Sequence, residues 1–329
     1  MQNELGKLPP PPRLITAFTA GFDAIANHIT IIALPVLVDL FLWLGPHLKL
    51  DRFFEPWLDR LQEIGISVGS VSPVDFELAR QAWTEFFASF NLFSFLRTFP
   101  VGPASLMSVR MPSETPLGIP FTLQPTSLLS VAGWGLLIAF VGWIVGSLYF
   151  HAVSAAALDL PHRSVFLPMP QVVLLSLVWI AALGVVGIPV LFLFTLLNLI
   201  SPAIAQGALI LLALLALWLI LPVFFSPHGI FAGRQDAFSA IRNSLKMIRY
   251  TLPTSGLFLM GFILIGQGLD FLWRTPLEIS WWTLVGIAGH AFISTALLAA
   301  SFVYYRDVNA WLTAILEQIK GQKPAPVKI

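Results

Sequence analysis

The chain has 329 residues, of which 57% are apolar and 11% are charged, and its mean hydropathy is +0.83. An ordinary globular domain carries about 25% charged residues, so this chain lacks the polar surface of a water-soluble protein of its size. Its formal net charge of +1 argues against a nucleic-acid partner, which requires many cations to neutralise phosphates. The absence of cysteine excludes disulfides, thiolate metal sites and cysteine nucleophiles.

The N-terminal region does not have the pattern of a secretory signal. Residues 1–12 are polar and end in four consecutive prolines, without the short apolar core and small-residue cleavage site of a signal peptide. We therefore expect residues 1–24 to form a cytoplasmic N-terminal segment, and the first apolar stretch to remain in the mature protein.

Six stretches are long and apolar enough to cross a membrane, since a bilayer core of about 30 Å requires roughly 20 apolar residues in a helix. They comprise residues 25–44, 127–150, 172–197, 204–225, 252–272 and 282–304. The predicted fold class is an all-α, polytopic transmembrane helical bundle of about six spans with amphipathic interfacial helices. The last five spans are expected to form one bundle, residues 127–304.

An outer loop, residues 45–126, separates the first span from the other five. Within it, residues 51–64 and 74–99 place aromatic and apolar side chains at helical spacing against charged ones. We interpret both as amphipathic helices that lie on the outer membrane face or cap the bundle. Residues 100–125 contain six prolines and no helical period, which predicts irregular structure.

The distribution of Lys and Arg predicts the orientation. With the N-terminus inside, the cytoplasmic segments hold 11 of the 18 basic residues and the outer segments hold the other 7. Most of the outer ones lie in the long loop, where the positive-inside bias is weak. We therefore predict a multi-pass protein of a bacterial cytoplasmic membrane with both termini in the cytoplasm.

Small residues recur along one face of the second span. Gly135, Ala139, Gly142 and Gly146 stand at helical intervals, a pattern that allows another helix to approach closely. Glycine is also frequent in membrane helices without any special role. On either interpretation the pattern concerns packing rather than chemistry.

The third span contains Gly184, Gly187 and Pro189. Proline removes a backbone hydrogen bond and predicts a kink. Discontinuous helices expose backbone groups near the midplane of many transporters, which makes these three residues candidates for a gating role. A purely structural kink is the favoured alternative, because membrane helices tolerate proline.

Asp39 and His28 are the candidates for a polar role in the first span. Carboxylates within a membrane are costly and often functional. Asp39, however, lies about a turn and a half from Gly45, near the outer interface, and we expect water to reach it there. No histidine pair has the spacing of a metal site, and no nucleotide-binding or hydrolase motif occurs. We predict no catalytic residue, no metal and no cofactor.

A cytoplasmic amphipathic helix is predicted at residues 235–250. Its apolar stripe consists of Phe238, Ile241, Leu245 and Ile248, and its basic face of Arg242, Lys246 and Arg249. Basic residues beside a membrane attract anionic lipid by about 1 kcal/mol each, so the basic face is predicted to contact lipid. A cytoplasmic C-terminal helix and tail, residues 305–329, complete the chain.

Residues 222–256 resemble part of a known family. The string Ser226-Pro227-His228-Gly229, followed by an Ala-Ile-x-x-Ser-x-x-x-x-Arg helix at residues 240–249, is similar to the membrane domain associated with glycerophosphoryl diester phosphodiesterases. The resemblance implies an accessory six-span membrane domain without the soluble domain that carries the phosphodiesterase activity. It therefore implies no catalytic residue in this chain.

These observations favour a non-enzymatic scaffold or interaction component of the membrane. The alternative is a transporter or lipid-handling protein that uses the third span and the outer amphipathic helices as a gate. A membrane enzyme ranks third, because the sequence does not pair Asp39 or His28 with another titratable group. The predicted partners are the lipid bilayer and a membrane protein, with no nucleic acid.

Overall fold

The structure is a computed structural model that describes residues 11–68, 73–110, 112–161, 164 and 166–321. Residues 1–10 of the predicted N-terminal segment and the tail after residue 321 lie outside the described residues. The regular structure of the described part is helical apart from a short parallel ladder of two strands, β1 (His47–Leu48) and β2 (Thr122–Leu123). The predicted all-α fold class is therefore confirmed.

The helices are numbered in chain order. They are α1 (Leu14–Asn27), α2 (Ala33–Leu44), α3 (Asp51–Val68), α4 (Pro73–Ser89), α5 (Met107–Arg110), α6 (Leu128–Leu158), α7 (Met169–Ile200), α8 (Pro202–Phe231), α9 (Ala237–Trp273) and α10 (Thr283–Gly321). Two 3-10 turns, Ile29–Ile32 and Leu92–Leu96, lie between them. The predicted sixth span and C-terminal helix are one continuous helix, α10.

Four of the described helices are long and apolar enough to cross a membrane, namely α6, α7, α9 and α10. The pair α1 and α2 makes a fifth if it is counted as one bent span. The predicted fourth span corresponds to α8, which has two shorter apolar parts on either side of residues 213–218, whose side chains lie outside the described set. The chain is therefore a multi-pass membrane protein, while its sixth span stays a prediction.

The predicted first span, residues 25–44, is not one continuous helix. α1 ends at Asn27, and the chain bends by 89° between α1 and α2. Pro35 provides the physical reason, because it has no amide hydrogen to donate to the Ile31 carbonyl, as a continuous helix would require. The helix instead restarts with Pro35 in its first turn, where no such donor is needed.

The outer loop forms the two predicted amphipathic helices, α3 and α4. The second ends at Ser89 rather than at residue 99, because Asn91 turns the chain. The Asn91 Oδ1 atom accepts hydrogen bonds from the backbone N–H groups of Leu48, at 3.0 Å, and Phe93, at 3.2 Å. The irregular structure predicted for residues 100–125 is confirmed in outline, with the short α5 and β2 within it.

The prolines within α7 and α8 do not interrupt these helices. α7 runs through Pro189 as one helix, so the less favoured alternative of a discontinuous third span is not found, and the kink at Pro189 stays a prediction. α8 continues past Pro222 and Pro227 to Phe231, six residues beyond the predicted end of the fourth span at residue 225. Membrane helices tolerate proline where neighbouring groups satisfy the freed backbone, and α7 and α8 pack against each other.

α9 contains the predicted cytoplasmic helix and the fifth span, with a kink between them. Thr251 lies at the kink and has the non-helical angles φ −126° and ψ 19°. Its hydroxyl donates to the Met247 carbonyl at 2.8 Å, and Pro253, two residues later, has no amide to donate. The predicted boundary between this helix and the fifth span is confirmed.

The first of two compact units contains the described residues of Met1–Ile29, Phe150–Gly266 and Thr295–Ile329. Its core is aromatic, with Phe258 stacked on Tyr304 at a centroid distance of 4.2 Å. Both rings are fully buried. Because aromatic pairs add stabilisation beyond the area that they bury, this stack anchors α9 to α10 within the unit.

The second unit contains the described residues of Thr30–Tyr149 and Gln267–Ser294. Its core joins Leu42 and Trp43 of α2 to Met107 of α5. The outer loop is therefore part of a packed core in this unit, rather than a linker that lies free on the membrane surface.

The small-residue stripe of the second span packs against the outer loop. A Cβ on Gly142 would lie 2.8 Å from the Leu96 carbonyl oxygen, and one on Gly146 would lie 2.7 Å from that of Val101. A Cβ on Gly135 would meet nothing within 4 Å. The predicted close packing is therefore found at two positions, but the neighbour there is loop backbone and not another span.

Candidate functional site

Asp39 lies at the centre of a buried polar site in the second unit. Its carboxylate accepts three hydrogen bonds, from the Ser105 hydroxyl at 2.5 Å and from the backbone N–H groups of Leu106 and Met107, each at 3.0 Å. These amides stand at the start of α5, where a helix has no internal partner for them. Asp39 of α2 therefore caps α5.

The expectation that water reaches Asp39 is wrong, because the exposed fraction of this residue is 0%. Its position along α2 indicated the outer interface, but the outer loop covers this end of the helix. A carboxylate buried without partners is very costly, and the three donors from the loop provide the compensation. The polar role of Asp39 in the structure is to hold the loop.

Arg110, at the end of α5, holds the same loop segment from its other side. Its Nε atom donates to the Glu278 carboxylate at 3.1 Å, and its Nη2 atom donates to the Pro276 carbonyl at 2.6 Å. The Trp43 indole donates to the Glu278 carbonyl at 2.9 Å. The segment between α9 and α10 is thereby tied to both α2 and α5.

A second polar cluster joins α9 to α10 and was not found from the sequence. Asp270 Oδ1 lies 2.6 Å from His290 Nδ1, and Asp270 Oδ2 lies 3.5 Å from Arg274. His290 Nε2 lies 3.3 Å from the Ser294 hydroxyl. Asp270 and His290 are both buried. The i, i+4 spacing of Asp270 with Arg274, and of His290 with Ser294, is the sequence feature that could have indicated this cluster.

The order Asp270, His290, Ser294 matches that of a hydrolytic triad, in which a carboxylate orients a histidine that activates a serine. Here Ser294 stands one turn after His290 on the same helix, and helix periodicity alone brings such residues together. The contact between different helices is the one from Asp270 to His290. We therefore assign the cluster to the pairing of α9 with α10.

The other predicted candidates do not join these clusters. His28 is exposed at the end of α1, and its Nδ1 lies 3.0 Å from the Ala24 carbonyl of the same helix. A Cβ on Gly184 or Gly187 would meet nothing within 4 Å, and Pro189 is exposed. The structure therefore places no described side chain against these two glycines of α7.

The basic face of the cytoplasmic helix is exposed, but its predicted apolar stripe is partly wrong. Arg242, Lys246 and Arg249 are exposed as expected. Phe238 and Leu245 are also exposed, whereas Ala240, Ser244 and Met247 are buried together with Ile248. The small residues face inward because Ser244 donates to the Pro222 carbonyl of α8 at 3.0 Å. The exposed face thus combines basic and large apolar side chains.

A pocket of about 180 Å³ lies in the first unit, where α6 and α8 end and α7 begins. Its lining is mixed, with apolar Leu160, Leu167, Ile230 and Phe231 beside polar residues. The polar lining includes Ser154, Gln171, Arg234 and Gln235. Sequence reasoning did not find this pocket, because two segments distant in sequence, 151–171 and 230–235, build it.

Two titratable residues outside the spans have pKa values shifted by their surroundings. Burial lowers the pKa of His47 in β1 below its ordinary value of 6.5, and nearby Lys49 adds to this effect. Hydrogen bonds from the side chain and amide of Ser239 lower the pKa of Asp236, which caps the start of α9. Both residues serve local structure.

Within the described residues, no three His, Asp or Glu side chains are grouped to bind a metal ion. Comparisons of the chain with protein-family models, curated proteins and solved structures found no match. The resemblance of residues 222–256 to a phosphodiesterase-associated membrane domain therefore stays a prediction. Of that segment, His228 is buried in α8 and lies 2.7 Å from the Ser301 hydroxyl of α10. We infer function from the described geometry alone.

Proposed function

We propose that this chain is a non-enzymatic interaction component of the bacterial cytoplasmic membrane that presents the α3–α4 hairpin to a partner protein. The hairpin would face outward and both termini would face the cytoplasm. The excess of basic residues in the predicted cytoplasmic segments, 11 against 7, supports this orientation.

The observation that carries the proposal is a contiguous row of aromatic rings, the aromatic ladder, formed by Trp83, Phe86, Phe90 and Phe95. Successive ring centroids lie 6.0, 5.6 and 5.8 Å apart. Trp83, Phe86 and Phe95 are 52%, 47% and 54% exposed. Exposed apolar patches mark sites of association, and tryptophan is among the residues that contribute most to protein interfaces.

The hairpin beneath the ladder is held by specific contacts. Phe87 stacks on Phe54 at 3.9 Å and on Trp83 at 5.7 Å, and Arg80 pairs with Asp59 at 2.9 Å. These contacts join α3 to α4 before any partner binds. A surface that is already ordered loses less conformational entropy on binding.

Charge favours a protein partner over the lipid surface. Residues 51–89 contain seven acidic and three basic side chains, a net charge of −4. An acidic hairpin is repelled by anionic lipid and attracted to a basic protein surface. Arg or Lys side chains of such a partner would stack on the exposed rings as cations.

The buried polar residues support a non-enzymatic role. Asp39, Arg110, Asp270 and His290 contact the chain itself, so each has a structural use. The transport alternative uses a kinked third span and the outer amphipathic helices as a gate, and the continuity of α7 through Pro189 gives no support to a discontinuous helix there. Lipid binding does not depend on a break in α7, because the pocket of the first unit lies beside the start of that helix.

The proposal is tested by photo-crosslinking in native membranes. A photoreactive amino acid is placed at Trp83 or Phe86 of the full-length chain, and at Val185, which is 75% exposed on α7, as a control. We expect a discrete protein adduct from the ladder positions and lipid adducts from Val185. Neutralising Glu55 and Glu77, both exposed on the hairpin, should weaken the ladder adduct severalfold, because the partner is basic.

The matched control is Glu114→Gln, which removes an exposed acidic residue of the outer loop outside the hairpin. It should leave the adduct unchanged. Lipid adducts alone at Trp83 and Phe86 would assign the ladder to the membrane surface and overturn the proposal. A protein adduct whose yield does not change when Glu55 and Glu77 are neutralised would contradict the proposal that the partner is basic.

A further inference from the structure

Arg234, which lines the pocket of the first unit, has an unusual backbone conformation. Its φ is +51°, and that of Asp159, directly after the end of α6, is +50°; within the described residues these are the two positive-φ positions not occupied by glycine. Left-handed backbone is easy for glycine and strained for residues with a Cβ. The residue before Arg234 is Gly233, yet arginine occupies the strained position. The conformation belongs to the end of α8, where the Gln235 amide donates to the Gly229 carbonyl across Arg234.

The pocket is electropositive. The Arg234 guanidinium is permanently charged and forms no ion pair with the described residues. No acidic side chain lines the pocket in the described part of the chain. α7 begins beside it at Met169, with no acidic residue in its first turn, so the positive end of the helix dipole adds to the charge of Arg234. A guanidinium matches the oxygens of a phosphate group in geometry.

Gln235, another residue that lines the pocket, has a side-chain acceptor that lacks a donor. Gln235 Oε1 is buried and has no hydrogen-bond partner among the described residues. Gln235 is held in place through its backbone, whose amide donates to the Gly229 carbonyl at 3.1 Å. A buried acceptor without a partner is costly, and a ligand hydroxyl or ammonium group would satisfy it. The ligand therefore combines a negative group with a hydrogen-bond donor.

The surroundings place the pocket at the level of the lipid headgroups. It lies at the end of the candidate span α6 and at the start of the candidate span α7. In the connection between them, Phe166 and Leu167 are 72% and 74% exposed, as expected for side chains that enter the membrane interface. A volume of about 180 Å³ is below the roughly 300–1,000 Å³ of pockets that enclose drug-sized ligands. It suits a headgroup but not an acyl chain.

We propose that this pocket binds the headgroup of a glycerophospholipid, with the phosphate on Arg234 and a headgroup hydroxyl or ammonium group on Gln235 Oε1. This site is independent of the aromatic ladder and of its protein partner.

The test measures binding of short-chain phosphatidylglycerol to the full-length protein in neutral detergent by native mass spectrometry. Arg234→Gly removes the cation and relieves the left-handed strain, so the ligand-free protein should unfold at the same or a higher temperature. Its affinity for the lipid should fall at least about tenfold, because a charged hydrogen-bonding partner is lost. Arg234→Asn, which also tolerates this backbone conformation, is the second variant and should behave alike.

Two matched controls separate the pocket from the rest of the surface. Asp159→Gly relieves the same strain without removing a cation, and Arg249→Gln removes an exposed cation outside the pocket. Both should bind the lipid within about twofold of the unmodified chain. Unchanged binding by Arg234→Gly, or an equal loss in Arg249→Gln, would show that general surface charge attracts the lipid and would refute the site.

Two further probes identify the source of the phosphate. Short-chain diacylglycerol, which has no phosphate, should not bind. Inorganic phosphate should compete only at concentrations far above those of the lipid, because it lacks the glycerol and the contacts at the membrane interface. Competition by inorganic phosphate at equal concentration would assign the pocket to a free anion and overturn the lipid assignment.

Discussion

At the scale of single residues, buried polar groups in this protein hold segments of the chain together. Asp39 is an acid within an apolar helix, and its three donors all belong to the outer loop. Capping α5 satisfies the loop amides and the carboxylate together, and neither would be stable in the core alone. The fully buried position is therefore a consequence of the pairing.

We expect Asp39→Ala to destabilise the protein by about 2–4 kcal/mol, because it leaves two amides and a hydroxyl buried without an acceptor. Asp39→Asn retains one acceptor oxygen and should cost about half as much. Thermal unfolding in detergent and limited proteolysis at residues 98–112 measure the effect. Asp23→Asn removes an exposed carboxylate from α1 and should change neither the melting temperature nor the rate of proteolysis. Equal stability of all three variants would contradict the capping role.

Glycines at two positions should respond to alanine in opposite directions. A Cβ on Gly21 of α1 would lie 2.6 Å from the Ala296 carbonyl oxygen of α10, whereas one on Gly187 would meet nothing within 4 Å. Gly21→Ala should therefore cost about 1–3 kcal/mol through overpacking. Gly187→Ala should be neutral or stabilise by up to about 1 kcal/mol through helix propensity. Melting temperatures in one detergent compare the two, and a similar loss in both would contradict the assigned packing.

At the scale of elements, the outer loop is fixed by short local pairings. β1 and β2 pair through His47 N to the Phe121 carbonyl at 2.8 Å and Lys49 N to the Leu123 carbonyl at 2.9 Å. Asn91 adds a side-chain acceptor for Leu48 N. Two residues make a weak ladder by themselves, so packing around them has to supply the stability. The imidazole of His47, 3% exposed, is part of that packing.

The pairing of β1 with β2 should weaken in acid. Because burial lowers the pKa of His47 in the folded chain, the unfolded chain binds the proton more readily. Stability from this residue is then complete above the ordinary value of 6.5 and is lost as the pH falls below it. Relative to the intrinsic exchange rate, which itself falls in acid, the protection of the amides at residues 46–50 and 121–124 should decrease between about pH 7.5 and pH 5.

The variant His47→Gln stays neutral and should remove this pH dependence, even if its exchange is faster at every pH. His28→Gln, at an exposed histidine of α1, should keep the pH dependence of the parent. An identical pH profile in His47→Gln and the parent protein would assign the loosening to another group.

At the scale of the whole molecule, the open question is which side of the membrane each segment faces. The chain has no cysteine, so single introduced cysteines report accessibility without background. Ser113, in the outer loop, and Thr313, in the last part of α10, are both exposed. Reaction with a membrane-impermeant maleimide therefore distinguishes the proposed orientation from its inverse.

In spheroplasts, whose cytoplasmic membrane is intact, Ser113→Cys should react and Thr313→Cys should not. Permeabilisation should expose Thr313→Cys, while the cysteine-free parent stays unlabelled. This pattern follows from the basic residues of the predicted cytoplasmic segments, which resist translocation. The reverse pattern would place the aromatic ladder in the cytoplasm and the pocket of Arg234 on the outer face.

Local sequence patterns predict the class of the protein and most of its helices. Insertion of a helix depends on summed side-chain transfer energies within about 20 consecutive residues, and these are local properties. The long spans, the outer helices α3 and α4 and the boundary at Thr251 followed from such patterns. Proline was the least reliable signal, because whether Pro35 or Pro189 interrupts a helix depends on the neighbours that satisfy the freed carbonyl.

The roles of the polar residues depend on contacts that form only in the folded chain. Asp39 meets donors 66 to 68 positions away, and Asp270 meets His290 on another helix. The pocket at Arg234 is built from the ends of three helices. Hydropathy measures the cost of burying each of these groups, but the compensating hydrogen bond comes from a residue remote in sequence. No local pattern contains that partner, so the sites became visible only once the chain was folded.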